Sequence, residues 1–226
     1  MKLIHPSYKI LTPLTPDRIQ EILQNLEVSG RVCYRSEDKI YWNSIDDNSA
    51  IPFVRSIIKR GHESVIEHQS LSIKFIVDRG FTHELVRMRL ASYSQESTRF
   101  CNYKSGVTFI IPVNLPNIKS DNYNIGDDNW NGYNQEEREF IDDMLYSERA
   151  YLNKLNNWKW TPQEARSVLP NSLKTEINMS CNLREWRHVL KLRTAANCHP
   201  SMLQIMRPLL DNLKSKIPVI FEDITY

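Results

Sequence analysis

The densest group of chemically capable side chains in this 226-residue chain is Arg87-Met88-Arg89-Leu90-Ala91-Ser92-Tyr93-Ser94-Gln95-Glu96-Ser97-Thr98-Arg99-Phe100. Arg87, Arg89 and Arg99 are planar donor forks that pair with phosphate or carboxylate through two hydrogen bonds at once. Ser92, Ser94, Gln95 and Ser97 add neutral donors and acceptors around them. Together they would make an anion site out of side chains. A solvated basic face with a Ser-rich loop has the same composition, so the order of the residues must separate the two. Ser97 has no His in its own motif, and an unassisted hydroxyl is a poor nucleophile near neutral pH, which suits a residue that positions substrate. Cys101 lies beside the arginines, and as a nucleophile it would need a lowered pKa.

Helices and strands must hold these residues. Thr15 as N-cap and Pro16 at the first helical position open a helix with Ile19, Ile22, Leu23 and Leu26 on one face, and Gly30 is expected as its C-cap. Phe53, Val54, Ile57 and Ile58 predict a second helix that ends at Lys59-Arg60-Gly61, so His62 opens a new element. Leu71, Ile73, Phe75 and Val77 alternate as a half-buried strand, with Asp78-Arg79-Gly80 as its exit turn. Thr82 to about Leu90 reads as helix, the hydroxyl-rich run from Ser92 to Phe100 as a loop, and the Asn/Asp/Gly-rich stretch 112–134 as a surface loop or insertion. A long helix is expected from Gln135 to about Trp158 and a short one capped by Thr161-Pro162. Leu173, Thr175, Ile177, Met179 and Cys181 alternate as a strand. Helix resumes at Asn182, and a last helix runs from Pro200 to about Lys214. Helices mixed with non-sequential strands predict an α+β fold: a mixed or antiparallel sheet flanked by helices, in a single domain over 1–226 with a helical subregion.

Composition narrows the function. With 29 Lys+Arg against 27 Asp+Glu, the chain lacks the basic excess that nucleic acid or anionic membrane would demand, and neither is expected as a partner. No apolar run approaches the roughly 18 residues of a membrane span, and the N-terminal MKLIHPSYKILTPL lacks a signal-peptide cleavage site, so a cytoplasmic address is expected. Cys33, Cys101, Cys181 and Cys198 form no CxxC pair and read as free thiols, and no residue is assigned to a metal. Only 6 Gly occur, and none builds a GxGxxG or GxxxxGK loop, so phosphates would have to be held by side chains.

The order of the arginine motif resembles the signature of flavin-dependent thymidylate synthases (the ThyX family): an Arg-His-Arg triplet, a Ser after seven further residues, and an Arg-Tyr pair just beyond. Here the triplet is Arg87-Met88-Arg89, the Ser is Ser97 and the pair is Arg99-Phe100. Upstream, Gly61-His62-Glu63-Ser64-Val65-Ile66-Glu67-His68 resembles the family's GHxSxxEH-type segment. Downstream, Ala165-Arg166-Ser167-Val168-Leu169-Pro170 resembles its AR-x-x-LP element, and Asn182-Leu183-Arg184 with Arg193 its closing helix. The four elements span roughly Pro52 to Met206.

The resemblance implies transfer of a methylene from methylenetetrahydrofolate to C5 of dUMP, with NADPH-reduced FAD as hydride source. It also implies a homotetramer whose active sites are shared between subunits. Glu84, Arg87, Gln95, Ser97, Thr98, Arg99, Arg166 and Arg193 would hold dUMP. Ser64, Glu67, Arg87, Met88, Arg89, Gln95, Asn182, Arg184 and His188 would line the FAD site. Arg193 would polarise the uracil ring, Ser97 would position substrate and His62 would shape the flavin face. Two departures stand out. Met88 replaces the usual His and Phe100 the usual Tyr, so an imidazole contact to the flavin gives way to soft packing. Met88 also leaves room for a dUMP hydroxymethylase or related C5 one-carbon transferase, or for a catalytically silent nucleotide-binding paralogue.

Overall fold

The computed structural model describes residues 1–44, 47–126, 130 and 132–226. Its strands are β1 (Lys2–Ile4), β2 (Ser7–Ile10), β3 (Ser70–Asp78), β4 (Ser92–Gln95), β5 (Thr108–Ile110), β6 (Asp121–Asn122) and β7 (Lys174–Asn182). The α-helices are α1 (Pro16–Val32), α2 (Ala50–Lys59), α3 (Arg79–Leu85), α4 (Gln135–Asn156), α5 (Pro162–Ala165), α6 (Leu183–Arg193), α7 (Pro200–Lys216) and α8 (Pro218–Phe221). Short 3-10 turns cover Glu37–Lys39, Glu63–His68 and Arg166–Val168. One sheet runs in the order β5-β1-β6, the other in the order β2-β3-β7-β4. The class is α+β, with helices flanking the sheets. Among the described residues no helix is long and apolar enough to cross a membrane.

The chain divides into two compact units. The first holds Met1–Ser7, Phe75–Arg87 and Ser94–Asn178; the second holds Tyr8–Lys74, Met88–Tyr93 and Met179–Tyr226. In the first, β1 pairs parallel with β5 (Leu3 opposite Phe109) and antiparallel with β6 (Leu3 opposite Asp121), which makes this sheet mixed. Its core gathers Leu3, Phe109, Leu115, Ile118, Tyr123, Ile141 and Tyr151. Leu115, Ile118 and Tyr123 belong to the stretch expected as a surface loop. That expectation is corrected: apolar residues scattered among Asn and Asp enter the core, and Asp121–Asn122 pair with β1. Asp127 to Asn129 and Asn131 of that stretch lie outside the described residues. α4 starts on a capping box in which the Asn134 side chain accepts from Glu137 N–H and Glu137 accepts from Asn134 N–H.

In the second unit α1 packs on α2, and α6 on the turn Glu63–His68. Gly30, expected to end α1, lies inside it and is buried. A Cβ there would stand 2.6 Å from the Phe53 ring, so glycine serves the close approach of the two helices rather than a cap. α2 does end as expected. Gly61 has φ +74, and the N–H groups of Gly61 and His62 donate to Ile58 O and Ile57 O, each at 3.0 Å, a Schellman closure that places His62 just past the helix.

β3 and β7 alternate as expected, with Leu71, Ile73, Phe75, Val77 and Thr175, Ile177, Met179, Cys181 buried. Three expectations beside them are corrected. Asp78-Arg79-Gly80 is no exit turn, because Asp78 Oδ1 accepts from Phe81 N–H at 2.7 Å and starts α3 directly from the strand. α3 then stops at Leu85, and Ser92–Gln95 is a strand, its end fixed by Glu96 N–H donating to Glu176 O at 2.8 Å.

Candidate active site

In the first unit two of the expected substrate residues, Gln95 and Arg166, are held by buried threonine hydroxyls. Thr82 is fully buried on α3, and its hydroxyl donates to Arg79 O at 2.9 Å. That hydroxyl has spent its one proton, so the Gln95 atom 2.9 Å away must be the amide nitrogen, which donates to it. The same Nε2 donates to buried Thr175 Oγ1 at 3.3 Å. Gln95 is thereby clamped in one orientation with its side-chain oxygen left as an acceptor. Nearby in sequence, buried Thr98 accepts from Arg166 Nη1 at 2.8 Å. Arg166 follows α5, whose start is fixed by a Thr161–Glu164 capping box. One N–H of Arg166 is used for orientation, and the rest of the fork stays available to an anion.

Ser97 sits at the head of a tight turn. Its carbonyl accepts from Cys101 N–H at 2.8 Å and its hydroxyl from Arg99 N–H at 3.3 Å. The Arg99 guanidinium lies 5.6 Å from the exposed Phe100 ring. Arg87 is exposed just beyond α3, and Glu84 is half-buried on that helix. Among the described residues neither Arg87 nor Arg99 is in an ion pair. Sequence reasoning missed the threonines that hold Gln95, Thr82 and Thr175, and the neighbouring Glu96 carboxylate held by Tyr103 Oη and Lys174 Nζ, both at 2.9 Å. Burial first, and then the bond to Glu96, push the Tyr103 hydroxyl well above the usual tyrosine range, so it stays protonated and donates to Glu96. A threonine on the buried face of an alternating strand, as at Thr175, was the available signal.

In the second unit, Glu67 Oε1 pairs with Arg184 Nη1 at 2.6 Å, both side chains largely exposed. The bond to Glu67, and then its charge, raise the Arg184 pKa further. Asn182 Oδ1 accepts from Glu185 N–H at 2.8 Å and so caps α6, which leaves its amide nitrogen for other contacts. Ser64, Arg89 and His188 are exposed, and Arg193 is the half-buried last residue of α6. An open cavity of about 430 Å³ brings together Glu67, Leu90, Ala91, Ser92, Cys181 and Asn182. Three segments distant in sequence meet there. Burial lifts the Cys181 thiol above its ordinary range, so it is inert.

His62 is held from a direction the sequence reading did not consider. Tyr34 Oη lies 2.6 Å from His62 Nδ1, and the two rings stack. The guanidinium of Arg187, 1 % exposed, bonds Glu63 Oε1, both Asp223 oxygens and Ile220 O. The turn that carries His62 and Ser64 is thus pinned to α6 and α8. The donors in this unit fit a polyanionic cofactor: Arg89 has no carboxylate partner among the described residues, and Arg184 has only one. Met88 does not add to them. It is 9 % exposed, and its carbonyl accepts from Tyr93 Oη at 2.7 Å, so it packs rather than donates.

A family model described as thymidylate synthase complementing protein (Thy1) matches residues 17–219. The chain belongs to this family. Among relatives of this family, the flavin-dependent thymidylate synthase of Corynebacterium efficiens is 32% identical over 202 residues, which covers 88% of this chain and 78% of the relative. The Mycobacterium tuberculosis enzyme of the same name is 29% identical over 201 residues, with the same coverage. Two solved structures share the fold. ThyX from Helicobacter pylori, complexed with FAD and dUMP, has a TM-score of 0.69 at 21% identity and covers 99% of this chain and 100% of that one. The UMP/dUMP methylase PolB from Streptomyces cacaoi, bound with 5-Br dUMP, has a TM-score of 0.72 at 21% identity and covers 98% and 96%.

Proposed function

We propose that this chain is a flavin-dependent thymidylate synthase. It joins the methylene of methylenetetrahydrofolate to C5 of dUMP, releases tetrahydrofolate and completes the methyl group of dTMP with electrons from NADPH. Membership of the Thy1 family supports this reading. The observation that carries it is the cavity where Glu67, Leu90–Ser92 and Asn182, from three separate motif segments, come together. FAD, when bound, supplies the hydride.

The protein's residues bind and orient. Arg87, Arg99 and Arg166 neutralise the dUMP phosphate, with Ser97 and Thr98 beside them, while Gln95 and Glu84 accept from the nucleoside. Arg193 stabilises negative charge that develops on the uracil ring as C5 becomes a nucleophile. Ser64, Arg89, Asn182, Arg184 and His188, together with Arg87 and Gln95, hold FAD; Glu67 lines the same site and releases Arg184 to the cofactor, and Met88 contributes packing alone. His62 shapes the flavin face and Ser97 positions substrate. The reading includes one thymidylate synthase-like domain over 1–226, a homotetramer with shared active sites, a cytoplasmic address and no nucleic-acid partner.

Purified protein tests this simply. Flavin absorbance close to one FAD per chain, together with dUMP binding, is expected. Colourless protein that FAD does not reconstitute would overturn the reading. Arg193→Ala should keep its FAD and lose dTMP formation.

A further inference from the structure

The co-substrates have no residues assigned to them above, and a second open pocket in the second unit has the chemistry to take one. It measures about 600 Å³, within the range of small-molecule sites, and Arg31, Tyr34, Lys39, Tyr41, Phe53 and Arg60 are among its walls. Its charge is positive. Arg31 is matched by Glu27, whose fully buried carboxylate also takes the Trp42 indole N–H and the Ser49 hydroxyl. Lys39 and Arg60 have no carboxylate partner among the described residues. Glu37 and Asp38 share the turn with Lys39 but do not line the pocket.

The rim is strained. α1 closes with Ser36 N–H on Arg31 O and Arg35 N–H on Val32 O, each at 3.3 Å, the same Schellman pattern that ends α2. α2 uses Gly61 at the left-handed position, whereas α1 uses Arg35 at φ +46. A side chain is thus kept where glycine would be easier. The two closures set Tyr34 and His62 side by side, so one wall of the pocket is bonded to the His62 ring. Whichever partner carries the shared proton, the bond fixes the ring plane.

We propose that this pocket receives the anionic end of a ring-bearing co-substrate: Lys39 and Arg60 take the charge, and Tyr34, Tyr41 or Phe53 stacks on the ring. The proposal rests on the reading of the chain as a thymidylate synthase. Two required molecules share this chemistry, NADPH through its adenosine 2′-phosphate and methylenetetrahydrofolate through its glutamate carboxylates.

Calorimetric titration of FAD-loaded enzyme distinguishes them. NADP⁺ is compared with NAD⁺, and monoglutamyl with polyglutamyl tetrahydrofolate, on wild type, Lys39→Ala, Arg60→Ala and the control Arg55→Ala, which alters the same helix outside this pocket. Lys39→Ala and Arg60→Ala should each weaken one of these ligands by about tenfold, the loss of one charge-assisted contact. Arg55→Ala should leave it unchanged. Weakening of NADP⁺ but not NAD⁺ identifies the dinucleotide; weakening that grows with glutamate number identifies the folate. The proposal is overturned if neither ligand responds, if Arg55→Ala matches the other two, or if FAD retention alone falls, which would make the pocket part of the flavin site. Wild type that binds neither FAD nor dUMP would instead defeat the thymidylate synthase reading itself.

Discussion

In the first unit Gln95 and Arg166 are held by buried threonine hydroxyls; in the second, Arg184 is held by the exposed carboxylate of Glu67. A neutral hydroxyl orients a donor without cancelling its charge, so Arg166 keeps its full attraction for a phosphate. A carboxylate orients by cancelling, so an anion that comes to Arg184 competes with Glu67. Desolvation sharpens the contrast, since a bond to a buried partner is lost at full cost and an exposed pair is screened. On the proposed reading, the first unit is therefore prepared for the dUMP phosphate before it arrives, and the second exchanges Glu67 for the anionic cofactor. Arg187, three residues along from Arg184, shows what burial does to an ion pair on the same helix. Burial alone would lower its pKa, but the bonds to Asp223 and Glu63 hold it above its ordinary value.

The largest expected effect comes from breaking that buried arrangement. Arg187→Ala should cost about 3–5 kcal/mol in urea denaturation, because it strands Glu63 and the Ile220 carbonyl. A pH dependence accompanies it. The bond from Arg187 holds Asp223 below its ordinary 3.8, so its contribution is present above that value and is lost as pH falls through the lower folded-state pKa. In Arg187→Ala this acid-limb slope should shrink.

Next comes the Gln95 clamp. Gln95→Ala should lose about 1–3 kcal/mol, because the Thr175 hydroxyl is left buried without its donor. Gln95→Glu should do no better, since a carboxylate cannot donate to the committed Thr82 hydroxyl. Thermal stability and the KM for dUMP would both register this, and wild-type values for Gln95→Glu would refute the assigned amide orientation.

Smaller still, Thr98→Val removes the hydroxyl that steers Arg166 and keeps the shape. The KM for dUMP should rise about three- to tenfold, the scale of one net hydrogen bond, with FAD content unchanged. Finally, Glu67→Gln should barely alter stability and should tighten FAD binding a few-fold. If FAD binds more weakly instead, Glu67 orients Arg184 rather than masking it, and the contrast between the units fails.

Regularly alternating strands were legible because β3 and β7 each turn one continuous apolar face inward. β4 was not, because Ser92-Tyr93-Ser94-Gln95 has no apolar face and is held at the end of the strand order by backbone pairing. Gly30 was read for its backbone freedom and is present for its lack of a Cβ against Phe53. The motif arginines could be named from their order, whereas the hydroxyls that aim them could not. Thr82, Thr98 and Thr175 are ordinary residues whose partners come from distant segments. Tyr34 was missed for the same reason, because its link to His62 exists only once both helices have closed.

Product analysis tests the central claim most directly. Enzyme supplied with FAD, dUMP, methylenetetrahydrofolate and NADPH is quenched and its nucleotides are resolved by mass. The account predicts dTMP in equal amount to the NADPH oxidised through the coupled reaction, and none when FAD or the folate is withheld. Accumulation of 5-hydroxymethyl-dUMP as the end product, or dUMP left unchanged by fully flavinylated enzyme, would contradict it.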